Sequence, residues 1–288
     1  MLSNKILRNI YRYTFGQIEF ILISLSSFRR KTPILIYQMG KVGSSTVDIS
    51  LKKSGINNKT YHIHFLSQVG IDNAVKYYNS INSGLPRHLL RSMFLRKKIF
   101  NDKAVKWKLI TMVREPIGRE ISNIYQNIID SNPELINKDG KINSNEVTEL
   151  LEENFLNFDQ EKNFTCSWFD NELKRAIGFD IYAESFNKDK GYSIYNIDNI
   201  DILVIRIEDM DSFFDEAIKD FFGWNKSVPM IRANIGDKKT YSGAYKKTTS
   251  NIFLAKETCE KIYNSKYVKH FYSQKMIESF FVKWGRNC

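Results

Sequence analysis

From Pro33 onward, short apolar runs of strand length alternate with longer stretches of helical period. Ile34 to Tyr37 has the unbroken apolar pattern of a strand buried on both faces. It gives way to a glycine-bracketed loop, after which Ser44 opens a helix to about Lys53. Thr60 to Phe65 reads as a second strand, followed by helical stretches near 67–82 and 86–100. Trp107 to Val113 is a third strand, and Pro116 starts a helix, because a first turn does not need the N–H that proline lacks. Residues 142–177 read as helical, and Ile202 to Ile207 is a β-branched strand run. A helix from about Asp211 ends near Gly223, and a polar loop, 224–245, leads to a helical C-terminal region. This alternation predicts an α/β fold: a P-loop-like, mostly parallel sheet flanked by helices, with ligand sites at the carboxyl ends of the strands. No internal repeat is apparent.

Residues 1–31 stand apart from the α/β domain expected over 32–288. Lys5, Arg8, Arg12, Arg29, Arg30 and Lys31 flank apolar residues, of which Ile6, Ile10 and Tyr13 keep helical spacing. Such a segment can lie on an anionic membrane face or pack on the domain's own core. The stripe is interrupted at Gly16 and Gln17, which favours packing and leaves peripheral membrane contact as the alternative. The apolar run Phe20 to Leu25 is too short for a signal core and far short of the roughly 20 residues of a spanning helix.

Composition narrows the partners. The chain has 288 residues, 42% of them hydrophobic and 14% aromatic, which is the make-up of a globular protein with a sizeable core. Its net charge of +11 implies anionic partners. Nucleic acid is disfavoured, since no zinc-finger, RRM or basic-zipper pattern is present. Cys166, Cys259 and Cys288 are few, odd in number and far apart, which suits a reducing compartment and predicts a cytoplasmic protein.

Two stretches carry chemistry. In the first, ILIYQMGKVGSST, Gly40 and Gly43 bracket Lys41 and Val42, and Ser44, Ser45 and Thr46 open the helix. Glycines allow a tight turn, the first N–H groups of a helix face an anion, and Lys41 adds a full charge to the helix dipole. The lysine precedes the second glycine, whereas a Walker loop puts it directly before the helix hydroxyl. The spacing therefore suits a phosphate without arguing for NTP hydrolysis. In the second stretch, LITMVREPIGREISNIYQNI, a strand ends in Arg114 and Ser122 follows eight residues later, two turns into the next helix. A strand-end arginine can fork two N–H groups onto a phosphate, or it can pair with Glu115 or Glu120 on the surface.

Together the two stretches resemble the sulfotransferases that use 3′-phosphoadenosine 5′-phosphosulfate (PAPS). The Gly-Lys-Val-Gly-Ser-Ser-Thr loop is similar to their 5′-phosphosulfate loop, and Arg114 with Ser122 to their 3′-phosphate site. The chain looks most like bacterial capsular polysaccharide synthesis proteins and polysaccharide 2-O-sulfotransferases over roughly 33–245, with specificity confined to the two motifs. The resemblance implies sulfuryl transfer from PAPS to a glycan hydroxyl, without a metal. It would place Gly40, Lys41, Val42, Gly43, Ser44, Ser45 and Thr46 around the 5′-phosphosulfate, with Lys41 at the bridging oxygen of the leaving nucleotide. It also implies a cap over the nucleotide from ANIGDKKTYSGAYKK, 233–247, from which Lys238 or Lys239 could reach the 3′-phosphate; an ordinary solvated loop is the alternative.

The base suggested by the same resemblance comes from YHIHFLS. His62 and His64 are two apart, so in a strand their side chains share a face. An imidazole suits proton removal from a sugar hydroxyl, and His64 is the preferred candidate, with His62 second. A structural histidine couple and a metal site are the other readings; His88 and His270 show no clustered partners, which disfavours metal. The gap of 50 residues from His64 to Arg114 is longer than in those relatives, and basic helices fill it. Arg87, Arg91, Arg96, Lys97 and Lys98 would suit an acidic polysaccharide. Glu208 could orient a ligand but more simply caps the helix after it. The rival functions are a P-loop nucleotide kinase or hydrolase, and a non-catalytic nucleotide- or glycan-binding protein.

Overall fold

The computed structural model describes residues 31–80, 84–233 and 241–285, together with Thr14, Ile18 and Ile21. The basic and apolar positions that define the N-terminal segment therefore lie outside the described residues, Lys31 and those three excepted. No helix among the described residues is long and apolar enough to cross a membrane.

The chain forms β1 (Ile34–Tyr37), α1 (Ser44–Lys53) and β2 (Thr60–Ile63), then α2 (Gln68–Ser80) and α3 (Arg87–Asn101). β3 (Trp107–Val113) leads into α4 (Pro116–Ser131), α5 (Ser144–Leu156) and α6 (Phe164–Trp168). α6 runs on through a π-helical stretch, Phe169–Lys174, to a last turn at Arg175–Ile177. β4 (Tyr192–Ile197) and β5 (Ile200–Arg206) precede α7 (Met210–Phe222), and α8 (Ser242–Asn251), α9 (Lys256–Tyr263), α10 (Lys266–Phe271) and α11 (Gln274–Trp284) complete the C-terminal region.

Among the described residues the strands make one five-stranded sheet in the order β2-β1-β3-β5-β4. β1 pairs in parallel with β2 and with β3, and β3 in parallel with β5. The fold is the expected α/β one with a helical C-terminal region. β4 is the exception in direction, running antiparallel to β5 at the edge. Only Tyr192 of its side chains is buried, and Ile194 is exposed, so it lacks the unbroken apolar run of the central strands. It turns back through Asp198, held at φ 51°, a left-handed position that aspartate tolerates.

The order β2-β1-β3 makes the chain reverse direction around β1. The carboxyl ends of β1 and β3 are thus the point where outgoing connections part, leaving a crevice in which doubly wound folds hold ligands. The Gln38–Gly43 loop leaves one side of this crevice and Arg114 the other. α4 seals the region from behind with Ile117, Ile121, Ile124, Tyr125 and Ile128, all buried at helical spacing.

Some boundaries differ from the sequence expectation. β2 ends at Ile63, so His64 lies just beyond the strand. The 142–177 stretch is broken between Leu156 and Phe164, and α8 begins inside the stretch expected to be loop.

Candidate functional site

The loop after β1 is shaped by backbone conformation. Gly40, Lys41 and Gly43 sit at φ 84°, 62° and 83°. At Gly43 a side chain would also meet Ile207, 3.0 Å from the position of a Cβ. Lys41 has no glycine's licence, and an L-residue in this region costs about 1–2 kcal/mol. Two arginines hold the turn. Arg114 Nη1 donates to the Lys41 carbonyl at 2.8 Å, while Arg119 reaches the Met39 and Gly40 carbonyls at 3.4 and 3.5 Å. Three successive carbonyl oxygens thus face guanidinium groups, and the strained turn is held from outside. The sequence alternative of a surface pair for Arg114 is not what forms: Glu120 pairs with Arg119 at 2.8 Å, and Glu115 caps α4 through the N–H groups of Ile117 and Gly118.

Gln38, fully buried, joins the loop to the histidines, and the sequence reading passed over it. Its Oε1 accepts from the Gly40 N–H. Its Nε2 lies 3.1 Å from Ser44 Oγ and 2.8 Å from His62 Nε2. The Gln38 main-chain carbonyl lies 3.0 Å from His64 Nδ1. Gln38 Nε2 also lies 3.1 Å from His64 Nδ1, but its two hydrogens go to Ser44 and His62; a carbonyl only accepts, so the network assigns the His64 proton to Nδ1 and leaves the Nε2 lone pair open. By the same logic His62 accepts at Nε2 from the Gln38 amide.

His88 joins them, which corrects the expectation that it stands alone. Its ring centroid is 5.1 Å from that of His64, and the His62 and His64 rings are also 5.1 Å apart. Burial lowers all three imidazoles: His62 to about 4, with His64 adding to the effect, and His88 to about 3. His64 is lowered by burial and by Lys41 and Arg119, against the pull of the Gln38 carbonyl. Each is neutral at pH 7. Among the described residues no group of three or more His, Cys, Asp and Glu side chains is arranged to hold a metal ion.

The carboxyl end of β3 is braced by C-terminal tyrosines. The Tyr267 hydroxyl accepts from the Arg114 N–H at 3.0 Å and donates to the Arg114 carbonyl at 2.9 Å. Tyr263 donates to Glu115 at 3.0 Å, and Tyr272 to Glu208 at 3.2 Å. Glu208 in turn accepts from the Glu115 N–H at 2.8 Å. Its role is to tie β5 to the β3–α4 turn, not to cap the helix after it.

These elements surround a cavity of about 570 Å³ lined by Gly40, Lys41, Gly43, Ser44, Ser45, Thr46, His62, His64, Arg114 and Ser122. Val42 does not line it, because its side chain is buried in the core. Lys238 and Lys239 lie outside the described residues, but the chain on either side of them reaches the same cavity through Arg232, Ala233, Ser242, Tyr245 and Lys246. Gln38, Gln126, Arg232, Tyr245 and Lys246 are lining residues the sequence did not single out, although the last two fall in the stretch read as a cap. None of the five basic residues named on α3 lines this cavity. Arg96 instead donates to the Leu66 carbonyl at 2.7 Å, fixing the turn just after His64.

Taken together, a left-handed glycine–lysine turn, a helix N-terminus, an arginine and a neutral imidazole meet in one polar cavity. That set can bind an anion of more than one phosphate and accept a proton beside it. The profile of the family described as "Putative capsular polysaccharide synthesis protein" matches residues 139–273, less than half of the chain and outside both motif stretches. No curated protein and no solved structure gives a significant match.

Proposed function

We propose that this protein is a sulfotransferase that moves the sulfuryl group of PAPS to a hydroxyl of a glycan. One observation carries the reading: the Lys41 loop, His64 and the Arg114–Ser122 stretch, three separate parts of the chain, line a single cavity. The similarity of residues 139–273 to capsular polysaccharide synthesis proteins supports a role in glycan synthesis.

In this reading the first turn of α1, with Ser44, Ser45 and Thr46, holds the 5′-phosphate, and Arg114 with Ser122 holds the 3′-phosphate. Lys41 contacts the oxygen that bridges phosphate and sulfur. His64 Nε2 takes the proton of the acceptor hydroxyl as that oxygen forms its bond to sulfur. The bond from sulfur to the bridging oxygen breaks, and adenosine 3′,5′-bisphosphate leaves with the electron pair. The protein's work is positioning, proton removal and neutralising charge on the leaving phosphate. A P-loop kinase or hydrolase would want an acidic strand end open to a magnesium ion over the loop; Glu208 instead accepts from Glu115 and Tyr272.

Incubation with PAPS labelled with ³⁵S and a panel of capsular and glycosaminoglycan-like acceptors tests the reading. Transfer of label to a glycan is expected. Failure of the purified protein to bind adenosine 3′,5′-bisphosphate by calorimetry would overturn it.

A further inference from the structure

A second cavity, of about 710 Å³, meets the first at Gly40, Lys41, His64 and Gln126. We infer that it is the acceptor subsite, and that the unit it takes is an uncharged sugar of a longer oligosaccharide; this rests on the sulfotransferase reading of the first cavity.

The wall between the cavities is α4. Ser122 faces the anion cavity, Glu120, Asn123 and Asn127 face the second, and Gln126, one turn beyond Ser122, borders both. Residues three or four apart share a helix face, so one helix presents two parallel rows to two cavities. A hydroxyl held on the second row meets His64 and Lys41, which with Gln126 are the side chains common to both.

The lining decides the class of ligand. Asn127 donates to Asn123 at 3.1 Å, and Asn123 to Glu120 at 3.4 Å. Each amide in this ladder keeps a second N–H, and Asn127 keeps its carbonyl, so the row both donates and accepts, as sugar hydroxyls require. Asn154 and Asn163 line the facing side, with Phe164 and Tyr78 supplying ring surface for the apolar face of a sugar.

The cations of this lining are committed elsewhere, Lys41 to the leaving phosphate in the reading above and the others within the protein. The buried Arg119 is taken up by Glu120 and by the Met39 and Gly40 carbonyls, and Phe164 covers its guanidinium at 5.0 Å. Lys162, largely exposed, pairs with Asp159 at 3.4 Å. Glu120 itself presents a carboxylate that a uronate would have to approach. A recognition fork for a sugar acid is therefore missing from this lining, and the basic positions Arg87, Arg91, Arg96, Lys97 and Lys98 of α3 are not part of it.

The cavity does not end at one sugar. Phe65, Tyr78 and Phe164 also line a third space of about 520 Å³, walled by Val69, Tyr77 and Trp168. An aromatic trough running away from the reacting hydroxyl suits further units of a chain.

The test uses the full chain loaded with adenosine 3′,5′-bisphosphate. Saturation-transfer NMR is recorded with neutral hexasaccharides (of glucose, mannose, galactose and N-acetylglucosamine) and with acidic ones (oligogalacturonate and hyaluronan). At least one neutral hexamer is expected to bind. Asn127→Leu and Asn154→Leu should each weaken it about tenfold or more, a loss of about 1.4 kcal/mol, with the bisphosphate affinity retained. Binding of acidic hexamers only, of none, or of neutral ones with undiminished affinity in both variants overturns the inference. Retained bisphosphate binding separates that outcome from failure of the sulfotransferase reading itself.

Discussion

Arg114 donates from Nη1 to the carbonyl oxygen of Lys41 at 2.8 Å, across 73 residues of sequence. The two motif stretches are thus mechanically one unit: the arginine that faces the cavity also holds the turn that carries the lysine. Tyr267 fixes the other end by bracketing the Arg114 peptide. Arg114→Ala should weaken binding of adenosine 3′,5′-bisphosphate by roughly ten- to a hundredfold, as expected for hydrogen bonds to charged groups of about 1.5–3 kcal/mol. Arg114→Lys should recover only part of this, because an ammonium lacks the planar fork. Calorimetry on both variants checks the point, and unchanged affinity in Arg114→Ala contradicts it.

Lys41 separates a backbone effect from a charge effect. Both Lys41→Ala and Lys41→Gly should cut turnover by two to three powers of ten, roughly 3–4 kcal/mol of barrier. Only glycine fits the left-handed φ of 62° without strain. The glycine variant should therefore be the more stable of the two by roughly 1 kcal/mol. Urea unfolding and transfer assays on the pair give both numbers. Near-normal turnover in either variant would sink the assigned role.

The histidine pair makes a statement about pH. His64 is lowered from 6.5 by burial, with Lys41 and Arg119 pushing the same way. A base must be unprotonated, so kcat/KM should be on its plateau at pH 7 and fall as pH drops through that depressed value. His64→Ala should lose two to three powers of ten in turnover, and His62→Ala less. A pH profile whose acid limb is centred at or above 6.5 contradicts the assignment.

The central strands and the glycine–lysine loop are legible in the sequence because their physics is local. A buried strand needs an unbroken apolar run, and a tight turn at positive φ needs glycines. Gln38 is not legible, because a polar residue after a strand looks like any loop start; its importance comes from four groups that converge on it in space. Arg119 reads as a surface helix residue with an adjacent glutamate, yet it is buried beneath the loop. His88, 24 residues beyond His64, reaches the cluster only because α3 folds back over β2. β4 is not legible either, since YSIYNI at a sheet edge shows neither an unbroken apolar run nor a clean alternation.

The two rows of α4 have a consequence for how such a protein can change. On the proposed reading position 122 serves the nucleotide, 120, 123 and 127 serve the sugar, and 126 borders both, on a single rigid rod. Substitution within the second row can retune which sugar is taken while the grip on the nucleotide is inherited untouched. An insertion or deletion of one residue upstream of Ser122 would instead turn every later position by about 100° and confuse both rows at once. Such a helix tolerates a change of letters but not a change of length, and on the proposed reading acceptor range can drift by point substitution alone.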